Sequence, residues 1–404
     1  MKKKILIISA VFPPEQVTSA LMNYDLAVEL AREHEVTVLR PFPTRPVGTK
    51  FDRTEIEGVE FKTILIDSYT HPQSQLVGRF RESIDFGKKC ASFIKKHHKE
   101  IDYIYNCGWQ LFGIYIVAKA AKKYSIPYMI AVQDIYPESL LTGHHYPKIV
   151  NKGVMTLLGP MDRYYQRNAY RIRTISDEMA SYLSETRKVS KEKFLIVNNW
   201  QNDEDFVVEK ESSIKGILRF AYVGSINMHS NTDLIIRAFH KAQLPNAELY
   251  IYGGGNRKEY CVSLVKDLNL TNVHFDMVAR DVVPTVQGDA NVLVLALPKG
   301  NGELCLPSKI TSYMLSGRPI LASVDKDSAT TRYLKESGCG VVVDADNEKE
   351  MSEAFKTMAQ MSENKLLEMG RNARNYAGTH LTKSVNLKKV VESIKESLDN
   401  KYNK

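Results

Sequence analysis

The residues best suited to chemistry lie at 297–320, where an apolar run is followed by Pro307-Ser308-Lys309. We predict that a helix begins at Pro307, because proline suits the first helical turn, where an N–H group has no intrahelical partner. The free N–H groups beside Ser308 and Lys309 would meet an anion at the positive end of the helix dipole, and Lys309 adds a full charge. This order predicts a phosphate-binding junction, although an ordinary strand–loop–helix junction with a solvated lysine has the same pattern.

The elements that must position this junction form a regular alternation along the chain. Short runs rich in Ile and Val alternate with helical patterns, which indicates β-α units and parallel sheets. The predicted strands span residues 4–10, 35–40, 59–66, 103–106, 127–132, 172–175 and 194–197, and then 218–223, 247–252, 273–275, 292–297, 319–323 and 340–343. The series occurs twice, so we predict an α/β fold with two Rossmann-like parallel-sheet domains.

A polar cluster near residue 200 divides the two series of strands. We therefore assign residues 1–200 to an N-terminal domain and residues 201–382 to a C-terminal domain. A helical pattern at about 383–404 is a candidate to pack back on the first domain.

Loops that follow the strands are the expected binding sites, because open α/β sheets bind ligands at the carboxyl ends of their strands. In the second half, Gly224-Ser225 follows the first strand, Gly253-Gly254-Gly255 the second, and residues 298–307 the fourth. The glycine run is not a G-x-G-x-x-G motif, and alone it fits a simple turn. Together the three loops predict a pocket for a nucleotide diphosphate, with Lys309 neutralising charge.

Several segments match one known family in type and order. They are Phe12-Pro13-Pro14-Glu15, His34-Glu-Val-Thr-Val-Leu39, Asp134-Ile-Tyr-Pro137-Glu138-Ser139, Ile175-Ser-Asp-Glu-Met179, Tyr222-Val-Gly-Ser225, Leu249-Tyr-Ile-Tyr-Gly253-Gly-Gly255, and Pro307-Ser308-Lys309 through Tyr313-Met-Leu-Ser-Gly317-Arg-Pro319-Ile320. Over nearly its whole length the chain resembles the family 4 retaining glycosyltransferases of the GT-B fold. The resemblance is strongest to the branch that builds capsular and O-antigen polysaccharides.

This resemblance implies two Rossmann-like domains that face each other across a cleft. It also implies a nucleotide diphosphate sugar, with a UDP-sugar favoured by family frequency, on the second domain. The acceptor, a glycan or a polyprenyl-diphosphate-linked glycan of surface polysaccharide synthesis, would bind the first domain. Transfer would retain the anomeric configuration.

Glycosyl transfer needs cations and N–H dipoles at the departing diphosphate, where negative charge grows as the bond breaks. Lys309 and the Ser308 amide fit this task, and Arg280 is a weaker candidate that also fits a solvent-facing cap. An acceptor hydroxyl must lose its proton, and Asp134 could position that hydroxyl or accept the proton. Asp134 also fits a helix or turn cap. The resemblance further assigns to the acceptor side Pro14, Glu15 and Glu138.

Two departures from the family pattern affect the donor site. Relatives carry two glutamates eight positions apart, whereas this chain has Leu304 and Ser312 there, with Glu303 one place off. Glu303 could reach a donor hydroxyl or be a solvated loop carboxylate. Relatives also have Arg and Lys shortly after the strand that ends at Val223, whereas this chain has Asn227, His229 and Ser230. The diphosphate charge must then be neutralised elsewhere, which makes Lys309 more important. The predicted donor-binding residues are Gly224, Ser225, Gly253, Gly254, Arg280, Glu303, Leu304, Pro307, Ser308, Lys309 and Ser312.

No metal and no resident cofactor are expected. The Asp325-Lys-Asp327 and Asp344-Ala-Asp346 motifs each follow a predicted strand, where they fit turns and caps better than a metal site. The histidines show no ligand spacing. The five cysteines lack a Cys-x-x-Cys pair, which favours reduced thiols.

The net positive charge of the chain is confined to its first half. Residues 1–200 contain 29 Lys and Arg against 21 Asp and Glu, and the remainder contains 26 of each. Much of the excess lies in residues 78–99, which fit either a solvated helix face or a surface for anionic lipid. No nucleic-acid signature is present. With no apolar run long enough to span a bilayer and no signal peptide, we expect a cytoplasmic protein, peripheral on the inner membrane face.

The sequence is compatible with other functions. A sugar-nucleotide epimerase can share the GT-B architecture and would need no acceptor. A non-catalytic subunit of a transferase would fit the missing glutamate pair. A nicotinamide oxidoreductase is disfavoured, because neither half has a G-x-G-x-x-G after its first strand.

Overall fold

Two parallel sheets organise the structure, a computed structural model that describes residues 2–45, 49–51, 56–70, 76–141, 147–206, 216–300 and 306–402. The chain forms two compact units. The first contains Met1–Asn199 and Ser384–Lys404, and the second contains Trp200–Lys383. Among the described residues, every helix is too short or too polar to cross a bilayer.

The first unit has a seven-stranded sheet in the order β3-β2-β1-β4-β5-β6-β7, in which every pairing is parallel. Its strands are β1 Lys4–Ser9, β2 Glu35–Pro41, β3 Lys62–Ile66, β4 Tyr103–Cys107, β5 Tyr128–Ala131, β6 Arg171–Thr174 and β7 Phe194–Ile196. Its helices up to this point are α1 Thr18–Ala31, α2 Leu76–His97, α3 Phe112–Lys123, α4 Lys148–Asn168 and α5 Asp177–Arg187. The central strand β4 is buried throughout, as expected for a sheet covered on both faces.

Helix α5 shows how local sequence sets an element of this unit. Ser176 is its N-cap and accepts a hydrogen bond from the Met179 N–H, while Asp177 and Glu178 lie in the first turn. Both features stabilise a helix start, because they satisfy free N–H groups and the positive end of the dipole. The helix ends at Arg187, and Lys188 follows in the left-handed conformation.

The second unit has a six-stranded parallel sheet in the order β10-β9-β8-β11-β12-β13. Its strands are β8 Leu218–Val223, β9 Ala247–Tyr252, β10 Val273–Asp276, β11 Val292–Ala296, β12 Ile320–Ser323 and β13 Gly340–Val343. Its helices are α6 Thr232–Ala242, α7 Lys258–Asp267, α8 Val283–Asp289, α9 Ser308–Leu315, α10 Ala329–Ser337, α11 Glu348–Ala359 and α12 Glu363–His380. Phe220, Phe239 and Phe355 join β8, α6 and α11 in a buried aromatic cluster.

The last helix, α13 Lys383–Tyr402, hydrogen-bonds with the first unit. The Asn386 Oδ1 accepts the Asn198 N–H at 3.0 Å, and the Tyr103 hydroxyl donates to the Ser397 Oγ at 3.4 Å. These contacts extend the first unit by a segment remote in sequence.

The predicted fold class is confirmed: two Rossmann-like parallel sheets are present, and each predicted strand corresponds to an observed one. The largest difference is at β3, which begins at Lys62 instead of residue 59. Lys62 pairs with Thr37 at the start of the β2–β3 ladder, so residues 59–61 precede the observed pairing.

Candidate functional site

Glycines bring the loops after β8 and β9 into backbone contact. A Cβ atom at Gly253 would lie 2.0 Å from the Gly224 carbonyl oxygen, and one at Gly255 would lie 2.2 Å from that of Ile226. The Gly224 N–H donates to the Tyr252 carbonyl at 2.9 Å. Because no side chain fits at positions 253 and 255, these glycines let the two loops form one continuous edge.

Lys309 lies over this glycine edge. A Cβ atom at Gly224, whose φ is +151°, would be 1.9 Å from the Lys309 Cε and 2.9 Å from its Nζ. The Nζ is also 5.1 Å from the centroid of the buried Tyr222 ring. Within the described part of the chain, Lys309 has no carboxylate at ion-pair distance. An anion bound at the ends of β8 and β9 would meet this ammonium group.

Tyr313 fixes the helix that carries Lys309. It lies one turn further along α9, is fully buried, and accepts the Val223 N–H at 2.8 Å through its hydroxyl. Burial raises the pKa of this hydroxyl, so it stays protonated and can also donate, with the Val223 carbonyl at 3.2 Å. The sequence analysis assigns no role to Tyr313. Its spacing of four residues from Lys309 places the two residues on the same face of a helix, and this spacing is the signal that could have indicated its role.

The start of α9 differs by one residue from the prediction. The helix begins at Ser308, and Pro307 is its N-cap with an extended ψ of 127°, so the proline precedes the first turn. Ser308 is exposed. The first N–H groups of a helix have no intrahelical partner, so those of Ser308 and Lys309 remain suited to an anion.

Ser312 points into the unit instead of toward the strand ends. It is 4% exposed, donates to the Lys309 carbonyl at 3.0 Å, and receives a hydrogen bond from the Gln287 amide at 3.3 Å. Gln287 in turn accepts from the Ser316 hydroxyl at 2.8 Å. The hydroxyl of Ser312 is thus engaged in packing α9 against α8.

The other residues predicted to bind the donor differ in exposure and in their position in the sheet. Ser225 is exposed after β8, and Gly254 is half-buried after β9. Arg280 is exposed after β10, two strands away from β8 in the sheet. Glu303 and Leu304 lie outside the described residues.

Carboxylates of the two D-x-D motifs hold residues 299 and 300, at the start of the loop after β11. The Gly300 N–H donates to Asp325 at 2.9 Å, and the Lys299 N–H donates to Asp346 at 2.9 Å. The other oxygen of Asp346 accepts from the Asn231 amide at 2.6 Å, which links the loops after β8 and β11. Among the described residues, no three His, Cys, Asp or Glu side chains are grouped to hold a metal.

In the first unit, Asp134 and Pro14 follow strands of the same sheet. Asp134 is exposed three residues after the end of β5, and Pro14 is half-buried in the loop after β1. Strands β1 and β5 are separated by β4. Both residues lie at the carboxyl edge of the sheet, and the sheet order separates them laterally.

Glu15 ties two loops together. It is 2% exposed, and its carboxylate accepts N–H groups of Phe12 at 3.0 Å, Thr44 at 2.9 Å and Arg45 at 2.8 Å. Burial raises the pKa of Glu15 despite these hydrogen bonds. Any contribution of Glu15 to acceptor binding would therefore act through the loops after β1 and β2.

We expect Glu15→Gln to destabilise the protein by about 1–3 kcal/mol, because a glutamine NH₂ would face at least one backbone N–H donor. The free energy of unfolding measured by denaturant titration checks this. Glu60→Gln, at an exposed position, is the matched control. Equal stability of the two variants would contradict the role given to Glu15.

Glu138, the last acceptor-side prediction, is paired with an arginine of α5. Its carboxylate accepts two hydrogen bonds from Arg187, at 2.6 and 2.7 Å, and one from the Tyr182 hydroxyl at 2.9 Å. The side chain is 13% exposed. Glu138 thus holds the loop after β5, which also contains Asp134.

Comparison with known proteins agrees with this architecture. Residues 203–376 match the family described as glycosyl transferases group 1. No curated protein sequence matches the chain significantly.

Solved structures share the fold at low sequence identity. HepE of Anabaena, solved with UDP, has a TM-score of 0.70 at 13% identity over 98% of this chain and 100% of its own. The sucrose-phosphate synthase of Thermosynechococcus elongatus has a TM-score of 0.76 at 14% identity, with 99% and 100% covered. WaaG, a glycosyltransferase involved in lipopolysaccharide biosynthesis, has a TM-score of 0.69 at 15% identity, with 96% and 99% covered.

The class defined by these observations is a GT-B protein with two Rossmann-like units. The part of the chain that matches the glycosyl transferases group 1 family includes β8, β9 and the Lys309 junction.

Proposed function

We propose that this chain is a retaining glycosyltransferase that moves a sugar from a UDP-sugar to a glycan or polyprenyl-diphosphate-linked acceptor in surface polysaccharide synthesis. The main observation is the contact of Lys309 with Gly224 at the ends of β8 and β9. A cation that has no carboxylate partner among the described residues, beside the first N–H groups of a helix, suits a diphosphate. HepE, a structural neighbour, has been solved with UDP and with UDP-glucose, and WaaG acts in lipopolysaccharide synthesis.

In this proposal the second unit binds the donor and the first unit binds the acceptor. Lys309 and the Ser308 amide stabilise the diphosphate as it departs. Asp134 positions the acceptor hydroxyl or accepts its proton. We further propose that transfer proceeds without a bound metal, so activity should survive EDTA.

The test is incubation of the purified chain with UDP-, GDP- and dTDP-sugars, with and without a lipid-diphosphate acceptor. Mass spectrometry should detect a glycosylated acceptor, and NMR of the product should show the anomeric configuration of the donor. An epimerised donor formed without acceptor would identify an epimerase instead. Absence of turnover across a broad panel of donors and acceptors would favour a non-catalytic subunit.

An anionic membrane surface is the second proposed partner. The lysines of α2 are exposed, whereas its Phe86 and Ile94 are buried. Over residues 86–96 the outward face of this helix is therefore basic and its apolar face packs inward. Helix α4 of the same unit exposes apolar side chains, with Ile149 80% and Leu157 75% exposed. A basic face and exposed apolar residues in one unit support docking near a lipid-linked acceptor on the inner membrane face.

Charge reversal of four lysines of α2 is expected to abolish binding to anionic vesicles, because each surface Lys contributes ~1 kcal/mol to the attraction. Binding of the wild type should weaken as salt is added, since salt screens these charges. Sedimentation with vesicles at increasing salt measures this. The altered residues are Lys88, Lys89, Lys95 and Lys96. The matched control reverses exposed lysines of the second unit, Lys266, Lys335, Lys349 and Lys365. Unchanged binding of the α2 variant would refute the surface, whereas both variants should still glycosylate a soluble acceptor.

A further inference from the structure

The Arg187 guanidinium at the end of α5 is buried and uses all its hydrogen-bond donors. Its Nε donates to Asp162 at 2.5 Å, and its Nη1 donates to Glu138 at 2.7 Å and to the Thr186 hydroxyl at 2.9 Å. Its Nη2 donates to Glu138 at 2.6 Å and to the Tyr136 carbonyl at 3.0 Å. A guanidinium has five N–H groups, so none remains free. The side chain is 4% exposed.

The two carboxylates around Arg187 are themselves held by further hydrogen bonds. Asp162, in α4, is 2% exposed and accepts from the Tyr165 hydroxyl and from the Gln166 amide. Burial opposes ionisation of Glu138, yet the hydrogen bonds from Arg187 keep its pKa below the ordinary value. Loss of the guanidinium would leave two buried acids without their cation, a strongly unfavourable state.

These contacts fix residues 135–139, the first part of the segment between β5 and α4. Tyr136 and Glu138 lie two and four residues after Asp134 in that loop. Nearer to Asp134, the Ile135 side chain is fully buried, and the Ser139 N–H donates to the Ile135 carbonyl at 2.8 Å. The backbone is thus held directly after Asp134, while the Asp134 side chain is exposed.

We infer that Arg187 is a positioning residue for sugar transfer, which holds residues 134–138 so that the Asp134 carboxylate meets the acceptor hydroxyl. The inference rests on the proposed function, in which Asp134 is the acceptor-side carboxylate. A displacement of about 1 Å at a reacting group can lower a rate about 10²-fold, so the rigidity of this loop should appear in kcat.

A double-mutant cycle tests the inference. Arg187→Lys keeps the charge but loses the planar fork, and should lower kcat for transfer about 10-fold or more, with the KM for donor unchanged. In an Asp134→Asn background the same change should lower kcat by less than about 2-fold, because the group that Arg187 positions no longer acts. Thermal unfolding and circular dichroism report whether each variant folds.

Arg237→Lys is the matched control. Arg237 lies in α6 of the second unit and pairs with Asp233 at 3.0 Å and Glu348 at 3.3 Å, so this change also removes a fork between two carboxylates. Its kcat should equal that of the wild type. If Arg187→Lys does not fold, Glu138→Gln, which leaves the arginine in place, takes its position in the cycle.

The outcomes separate the inference from the proposed function. Wild-type kcat in folded Arg187→Lys, or equal losses with and without the Asp134 carboxylate, would overturn the positioning role while leaving the proposed function intact. Wild-type transfer by Asp134→Asn would remove both the role of Asp134 and the inference built on it. A loss in Arg187→Lys that disappears in the Asp134→Asn background supports the inference.

Discussion

Replacement of Lys309 by alanine is expected to lower kcat for sugar transfer roughly 10²-fold or more, comparable to the loss of one oxyanion-type donor. Negative charge on the diphosphate increases as the glycosidic bond breaks, so a fixed cation stabilises the transition state more than the bound donor. Lys309 is held over Gly224, beside the first N–H groups of α9. The fold should survive, because Lys309 is half-buried and, in the described part of the chain, makes no ion pair whose loss would cost stability.

Steady-state kinetics at saturating donor, together with thermal unfolding, measure this effect. Lys335→Ala is the matched control, since Lys335 is an exposed lysine near the end of α10 in the same unit. It should turn over at the wild-type rate. Wild-type turnover by correctly folded Lys309→Ala would show that the junction between β11 and α9 does not bind the donor phosphates.

The strands were predictable because their signal is local. A buried parallel strand is a short apolar run between turn residues, as in residues 292–297, and this signal does not depend on distant parts of the chain. The residues at which helices and strands begin and end are harder to predict from the sequence than the elements themselves. Pro307 was expected inside the first turn, but it is the N-cap, because the same residue type suits both positions.

The proximity of Lys309 and Gly224 also followed from a general rule, since the carboxyl ends of parallel strands meet at one edge. Contacts that depend on remote segments did not follow. Glu15 binds the N–H groups of Thr44 and Arg45, and nothing near residue 15 indicates that the chain after β2 returns there. The burial of Ser312 depends in the same way on Gln287, in a different helix.

Arg187 illustrates a further limit of the sequence. Its partners Glu138 and Asp162 are 49 and 25 residues away, and each looks like an ordinary surface charge when read locally. Only the packing of α4, α5 and the loop after β5 makes them a buried network. The same packing explains why Glu138, chosen for the acceptor side by resemblance, has its carboxylate engaged by Arg187 and Tyr182.

Asp134→Asn is expected to lower the rate of transfer roughly 10²-fold or more while leaving donor affinity nearly unchanged. Asparagine has almost the same shape and can still accept a hydrogen bond, but it cannot take a proton from the acceptor hydroxyl. The donor is proposed to bind at Lys309 in the other unit, so its affinity should not depend on this carboxylate. Calorimetric titration with the UDP-sugar and single-turnover transfer measure the two effects separately.

Asp67→Asn is the control for this change, because Asp67 is also exposed and directly follows a strand, β3, at the same edge of the same sheet. It should transfer at the wild-type rate, since β3 and β5 are separated by three strands in the sheet order. A loss confined to Asp134→Asn would therefore be specific to the position after β5. Equal transfer rates in the two variants would show that the acceptor hydroxyl is activated by another group, such as an oxygen of the departing diphosphate beside Lys309.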